Sequence, residues 1–407
     1  MRLGGSIYCW LHLFYPLTGY KEAAMKPKNI RTRSLAIGLI VLVVAMLFNS
    51  CGQTGNVTSS DSLPGEKSGL PIDDNLSMQK PLIYENLVVF PVTARETTTI
   101  GDFITLDEAT EKESVEVTEV GGEDEDGARV DMLTVENKSD KTLILISGEL
   151  VCGGNQDRII RHSVVLEPGE KSGVPVRCVE SGRWGGERAE LQCLKGKSAP
   201  AGARAAGQVA GTKGQRETWG EVTEEIKRLK PLNKCITESL GEALDDEQVE
   251  VDTKKYFEKI LLSLTGNNRI VGIVVAVDGR IVGSDIFCSH EVFVRYAEKL
   301  LHSYSVEALC AKRAGEEEVE KDAVKETTIE TTHKAVTIEQ ARDYILTIRE
   351  GKEENVMQED IYRVIRKVRK LQCAIGLIIE QNGKKVNVHE NTFESTSEDS
   401  DAAPDEP

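Results

Sequence analysis

The chain has nine cysteines and six histidines in 407 residues, yet no Cys-x-x-Cys pair and no histidine at the spacing of a metal finger. That leaves no zinc site to assign, and no metal is expected. No Gly-x-x-x-x-Gly-Lys-Ser/Thr or Gly-x-Gly-x-x-Gly follows a strand and opens a helix, so the phosphate-cradling fingerprints are absent too. Positive charge is short, with 50 Lys and Arg against 67 Asp and Glu and a net charge of −17. Such a surface repels phosphate backbones, and nucleic acid is not an expected partner. No internal repeat is apparent.

What is present begins with an unbroken apolar run, 35–48, preceded by Lys26, Lys28, Arg31 and Arg33 and followed by Asn49-Ser50-Cys51. A basic segment, an apolar stretch and a small residue before a cysteine give the layout of a signal peptide. The run is shorter than the roughly 20 residues a spanning helix needs. Cleavage and lipidation at Cys51 are therefore expected in place of a permanent span. Phe48 departs from the aliphatic residue of the usual lipoprotein pattern. Met25 opens a well-formed basic region and is the expected start. Beyond residue 51 the chain keeps 44 basic and 66 acidic residues, a net charge of −22. Membrane attachment would then rest on lipid at Cys51, stable when two or more acyl chains are present. The expected location is the bacterial cell envelope, on its periplasmic or surface face.

Seven cysteines follow, at 152, 178, 193, 235, 288, 310 and 373. An odd number cannot pair fully within one chain, which fits an oxidising exterior only if the thiols are buried or the habitat is anaerobic.

Residues 52–80 are rich in Ser, Gly, Asp and Pro and read as a flexible tether. One domain is expected over 81–393. The β-branched runs 82–92, 114–120, 128–135, 142–146, 158–166 and 173–179, broken by Gly, Asp, Asn or Pro, read as strands of an antiparallel or mixed sheet. An acidic loop joins them at 121–127. The stretch 193–215 is dominated by Gly, Ala, Ser and Lys and reads as a mobile insertion, a lid over a site or a tolerated disordered loop. Helices are expected at 218–229, 252–264, 290–311, 338–348 and 360–371. Asp278-Gly279 and Gln381-Asn382-Gly383 each mark a hairpin, because the dipeptide supplies the positive φ that a tight turn requires. A second insertion is expected at 315–335, and the tail from 394 reads as acidic and disordered. Strands first, then helices mixed with hairpins, give an α+β fold, β-rich at its N-terminal end.

Two polar clusters stand in apolar surroundings. In 147–158, Gly153 and Gly154 permit a sharp reversal, and Glu149, Gln156, Asp157 and Arg158 offer carboxylate, amide and guanidinium groups to a polar ligand. They serve equally well in a hairpin whose Asp157 and Arg158 pair internally. In 178–186, Glu180 and Arg183 beside Trp184 suit a flat, charged or sugar-containing ligand, or Trp184 covers a core edge. Cys152, beside the two glycines, is the best placed thiol for a nucleophile, but it has no companion His. His162, His290, His302 and His389 are scattered and read as structural. Asp285 and Tyr304 read as seating the helices on the sheet.

Several motifs, in order, resemble one family. Tyr84-x-Asn86-Leu87-x-Val89-Phe90-Pro91-Val92, Gly148-Glu149 through Gly153-Gly154-x-Gln156-Asp157-Arg158, and Cys178-Val179-Glu180-x-Gly182-Arg183-Trp184 carry the likeness. Gln215 with Trp219, Gly283-x-Asp285-x-Phe287 and Lys299-Leu300-Leu301-x-Ser303-Tyr304 add to it. Together they are similar to the ARG and rhodanese-phosphatase superfamily-associated domain, over about 82–310 and more faintly to Phe393. That resemblance implies a genomic neighbourhood, of ADP-ribosylglycohydrolase and phosphatase genes, more than a reaction.

Two functions are compatible with these residues. One is a binding or scaffolding module at the envelope, its partner a small polar ligand or an envelope protein. The other is a hydrolase of a nucleotide, ADP-ribose or sugar substrate, with Glu149 or Asp157 as base, Glu180 as acid, and Arg158 or Arg183 stabilising a developing anion. The sequence names no cofactor.

Overall fold

Runs that are apolar at nearly every position suit strands buried on both faces. In the computed structural model two such runs, β4 (Leu87–Ala94) and β14 (Ile270–Val277), are buried along their whole length. The structure describes residues 69–120, 129–180, 190–209, 211–229, 239–323, 335–369 and 372–394.

These two strands lie inside a ten-stranded antiparallel sheet. Its order is β1 (Leu70–Pro71), β2 (Leu76–Met78), β4, β14, β15 (Arg280–Phe287), β19 (Lys384–Glu394), β18 (Gln372–Gln381), β17 (Tyr362–Arg369) and β16 (Lys352–Gln358), with β3 (Leu82–Tyr84) also paired to β4. A six-stranded sheet has the order β13 (Gln192–Ser198), β9 (Glu149–Cys152), β10 (Arg158–Ile160), β12 (Lys171–Cys178), β7 (Arg129–Asn137) and β6 (Val115–Val120). The third sheet, β11 (Val164–Leu166), β8 (Thr142–Leu145) and β5 (Phe103–Thr105), is mixed, because β5 runs parallel to β8. The helices are α1 (Leu106–Glu111), α2 (Ala201–Gly207), α3 (Gly211–Leu229), α4 (Leu240–Leu244), α5 (Glu247–Thr265), α6 (His290–Ala323) and α7 (Ile338–Arg349). The fold is α+β, as its sequence pattern indicates.

Side chains alternate across a strand, and the large sheet uses both faces. Leu87 and Val89 of β4, with Ile273 and Val275 of β14, join the main core containing Tyr256 of α5 and Phe293 of α6. Val88, Phe90 and Val92, with Val274 and Ala276, face a smaller core closed by Ala341, Tyr344 and Ile345 of α7. Both expected hairpins form at left-handed residue pairs, Asp278-Gly279 (φ 47° and 75°) and Asn382-Gly383 (φ 52° and 70°).

The structure departs from the sequence expectations in five places. Ordered structure starts before residue 81, since the β1–β2 hairpin buries Ile72 in its turn and Leu76 and Met78 in β2; the start of the tether, 52–68, lies outside the described residues. The expected strand 82–92 is two strands folded at Glu85, and 158–166 divides into β10 and β11. The expected helix at 360–371 is instead β17. Its Ile361, Val364, Ile365 and Val368 have helical spacing, but strands on both sides of it supply backbone partners. The expected loop 193–215 holds β13, α2 and the start of α3, with Ala201, Ala203, Arg204 and Ala206 buried. Finally, α6 runs on to Ala323, through the first part of the expected insertion at 315–335; residues 324–334 lie outside the described residues. So do the signal segment with Cys51, the acidic loop at 121–127 and the tail from 395.

Candidate functional site

Between β8 and β9 the chain turns through Ile146, Ser147 and Gly148. Gly148 has φ 94°, and a Cβ there would stand 2.7 Å from the Arg204 side chain. Only glycine meets both conditions without strain. The turn sets Glu149 and Ser147 into two buried polar networks.

Glu149 is fully buried and its two oxygens serve different donors: Lys299 Nζ lies 2.6 Å from Oε1, and the Ile146 N–H donates to Oε2 at 2.7 Å. Lys299, on α6, also donates to Asp107 Oδ1 at 2.7 Å. Asp107 in turn accepts from the Cys193 thiol at 3.1 Å and the Gly196 N–H at 3.0 Å. Burial pushes the Glu149 carboxyl above its ordinary range, with Lys299 pulling the other way. Burial also opposes charge on Lys299, but the acidic groups around it hold the ammonium protonated. The result is a cation clamped between two carboxylates.

The second network centres on Asp285 of β15. Arg204 of α2 grips both its oxygens, at 2.6 and 3.2 Å, while the Tyr304 hydroxyl donates at 2.7 Å and His389 Nε2 sits at 3.0 Å. The other ring nitrogen of His389 is 3.1 Å from Ser163 Oγ, which accepts from the Ser147 N–H at 3.0 Å. Burial works against charge on Asp285, but Arg204 and His389 prevail and hold its carboxyl below the ordinary range. Ser163, His389 and Asp285 have the residue types of a nucleophilic triad. All three are nonetheless buried, and the Asp is already held by a guanidinium. Their geometry ties β15, β19, α2 and α6 together.

Asp157 and Glu180 do meet. The Asp157 N–H donates to Glu180 Oε2 at 2.8 Å, and Gln156 Nε2 donates to the Glu180 carbonyl at 2.9 Å. Asp157 accepts from the Gly153 N–H at 3.0 Å and the Ser239 hydroxyl at 2.7 Å. Arg158 does not pair with Asp157 through its carboxylate. Its guanidinium donates to the Gln156 carbonyl at 2.7 Å and stands 3.7 Å from Glu119. Glu149 is elsewhere: in the β9–β10 register Arg158 faces Val151, so Asp157 stands beside Cys152. That is three residues along the strand from Glu149, or roughly 10 Å at about 3.3 Å per residue. Burial and the nearby Asp157 push the Cys152 thiol up, opposite to what a nucleophilic cysteine needs. Arg183 and Trp184 lie outside the described residues.

Sequence reasoning gave no site role to Lys299, Asp107, Arg204, Ser163 or His389. Lys299 and Tyr304 stand in one motif, yet their partners are 150 and 19 residues away in sequence. Only folding reveals the pairing. Among the described residues no group of three or more His, Cys, Asp or Glu could hold a metal ion, and no helix is long and apolar enough to cross a membrane.

No curated protein and no solved structure matches the chain. A family match spans residues 75–388, from β2 into β19, and takes in the polar networks except His389, one residue past its end. The chain belongs to the family of the ARG and Rhodanese-Phosphatase-superfamily-associated Protein domain.

Proposed function

We propose that the chain is a lipid-anchored envelope protein whose domain binds a small ligand or a partner protein, and that its turn carboxylates serve the fold. The observation that carries this reading is the condition of Glu149, Asp157 and Glu180. Each is buried, and each already accepts from a lysine, a hydroxyl or a backbone N–H. A general acid or base needs a substrate proton within hydrogen-bond reach, and these oxygens meet the protein's own donors instead. The anchoring half of the proposal rests on the basic and apolar run that ends at Ser50-Cys51.

A hydrolase acting on a nucleotide, ADP-ribose or sugar is the second reading, favoured by the Asp157–Glu180 contact alone. A thermal-shift panel of nucleotides, ADP-ribose, sugars and divalent metals tests both. A ligand at 100 times its dissociation constant stabilises a fold by about 2.7 kcal/mol. The binding reading expects a shift with at least one compound and no product on prolonged incubation. Turnover that disappears in Asp157→Asn and Glu180→Gln would instead establish the hydrolase.

A further inference from the structure

The motif segment Tyr84-x-Asn86 plays no part in the buried networks. It forms one wall of a cleft of about 250 Å³ between the β3–β4 turn, α5 and α6. Tyr84 and Tyr256 meet edge to face there, ring centres 5.1 Å apart at 80°. The Tyr256 hydroxyl shares its one proton between Glu85, at 3.0 Å, and the Asn86 side-chain oxygen, at 3.2 Å, fixing the aromatic wall. Glu85 itself holds φ 50°, the left-handed conformation that the tight turn between β3 and β4 requires.

Lys255, Lys312 and Arg313 bring three cations to the cleft, matched by the three carboxylates of Glu85, Asp252 and Glu316, the last 3.6 Å from Arg313. Lys312 pairs with Glu85 at 2.8 Å and Lys255 with Asp252 at 2.5 Å. The Lys312–Glu85 pair is over a third exposed on both sides. Exposed pairs of this kind contribute little net energy, so a ligand anion can take over a lysine at small cost.

We propose that this cleft is a mononucleotide site. The three chemistries on its walls match the three parts of such a ligand. A base stacks against Tyr84, ribose hydroxyls donate to Glu85 or Asp252, and phosphate is met by Lys312 with Lys255 or Arg313. The volume of about 250 Å³ falls just below the range of small-molecule pockets, about 300–1,000 Å³, so the cleft holds at most one nucleotide, partly exposed, and not a dinucleotide. This inference rests on the ligand-binding reading above and names its ligand class.

Calorimetric titration of the full chain in detergent with AMP, adenosine and inorganic phosphate tests it, alongside Tyr84→Ala, Tyr84→Phe and Lys312→Ala. AMP is expected to bind saturably and more tightly than either fragment. Tyr84→Ala and Lys312→Ala should each weaken it by about tenfold, with Tyr84→Phe close to wild type. Lys312 sits on an exposed rim, so its variant reports on binding even if Tyr84→Ala unfolds. No saturable heat with AMP, or an AMP affinity indifferent to Lys312→Ala, overturns the proposal. If AMP is silent while another panel compound raises the melting temperature, this site fails and the binding reading stands.

Discussion

Glu149 has two acceptor oxygens and uses each for a different donor, Lys299 and the Ile146 N–H. An amide offers one oxygen, so Glu149→Gln must leave one buried donor without its acceptor. The expected loss is about 1–3 kcal/mol of stability, read by denaturant unfolding. Lys299→Met is more severe, because Glu149 and Asp107 lose their shared counter-charge; about 3–5 kcal/mol is expected. Gly148→Ala combines a left-handed φ with a clash against Arg204 and should also lower the unfolding midpoint, by about 1–3 kcal/mol. None of these costs was legible in the sequence. Gly148-Glu149 stood out as a motif, but a carboxylate's partners can be 150 residues away.

At the scale of elements, α2, α3 and α6 meet at a cluster of carboxyls. Glu221 and Glu225 of α3 and Glu307 of α6 point their oxygens to within 3.6 Å of where a Gly202 Cβ would be, and the Gly202 N–H donates to Glu307. Burial raises all three; neighbouring carboxylates add to it, Glu224 and Glu217 at Glu221, Glu307 and Glu221 at Glu225, and Glu221 at Glu307, with Arg228 opposing at each and the Gly202 N–H opposing at Glu307. An acid raised in the fold binds protons more tightly there than in the unfolded chain. The stability it confers is complete below its unfolded value, 4.5, and is lost as pH rises through the folded one. Thermal melts should therefore show the helical layer losing stability as pH rises above about 4.5, and Glu225→Gln should flatten that slope. Asp285 acts in the opposite sense. Its carboxyl is lowered, so its contribution is present above 3.8 and lost as pH falls through the folded value. Elements whose signal is local were legible: two hairpins from Asp-Gly and Asn-Gly, and α7 from its apolar spacing. The stretch that became α2 looked like a loop because alanine and glycine bury little area. Alanine is nonetheless the best helix former, and Pro200 directly precedes Ala201 at the start of the helix. Small side chains also let α2 approach closely; a Gly207 Cβ would stand 3.1 Å from Ile159.

For the whole molecule, the α+β class was legible because alternating and continuous apolar runs encode strands wherever they pair. The partition into three sheets was not, since β4 reaches β14 across about half the domain. The proposed lipid anchor is tested at this scale as well. A labelled fatty acid should enter the wild-type chain and be absent from Cys51→Ala, which should leave the membrane fraction; label retained in that variant would contradict the anchor. In the proposed division of roles, the buried carboxylates hold the fold while ligand binding lies elsewhere. That division is tested most directly by the melting temperature of wild type and Glu149→Gln, each with and without the most effective compound of the ligand panel. The variant is expected to melt lower, and the ligand-induced rise to be the same in both. A variant that melts like wild type but no longer responds to ligand would contradict it, and would return Glu149 to a binding or catalytic site.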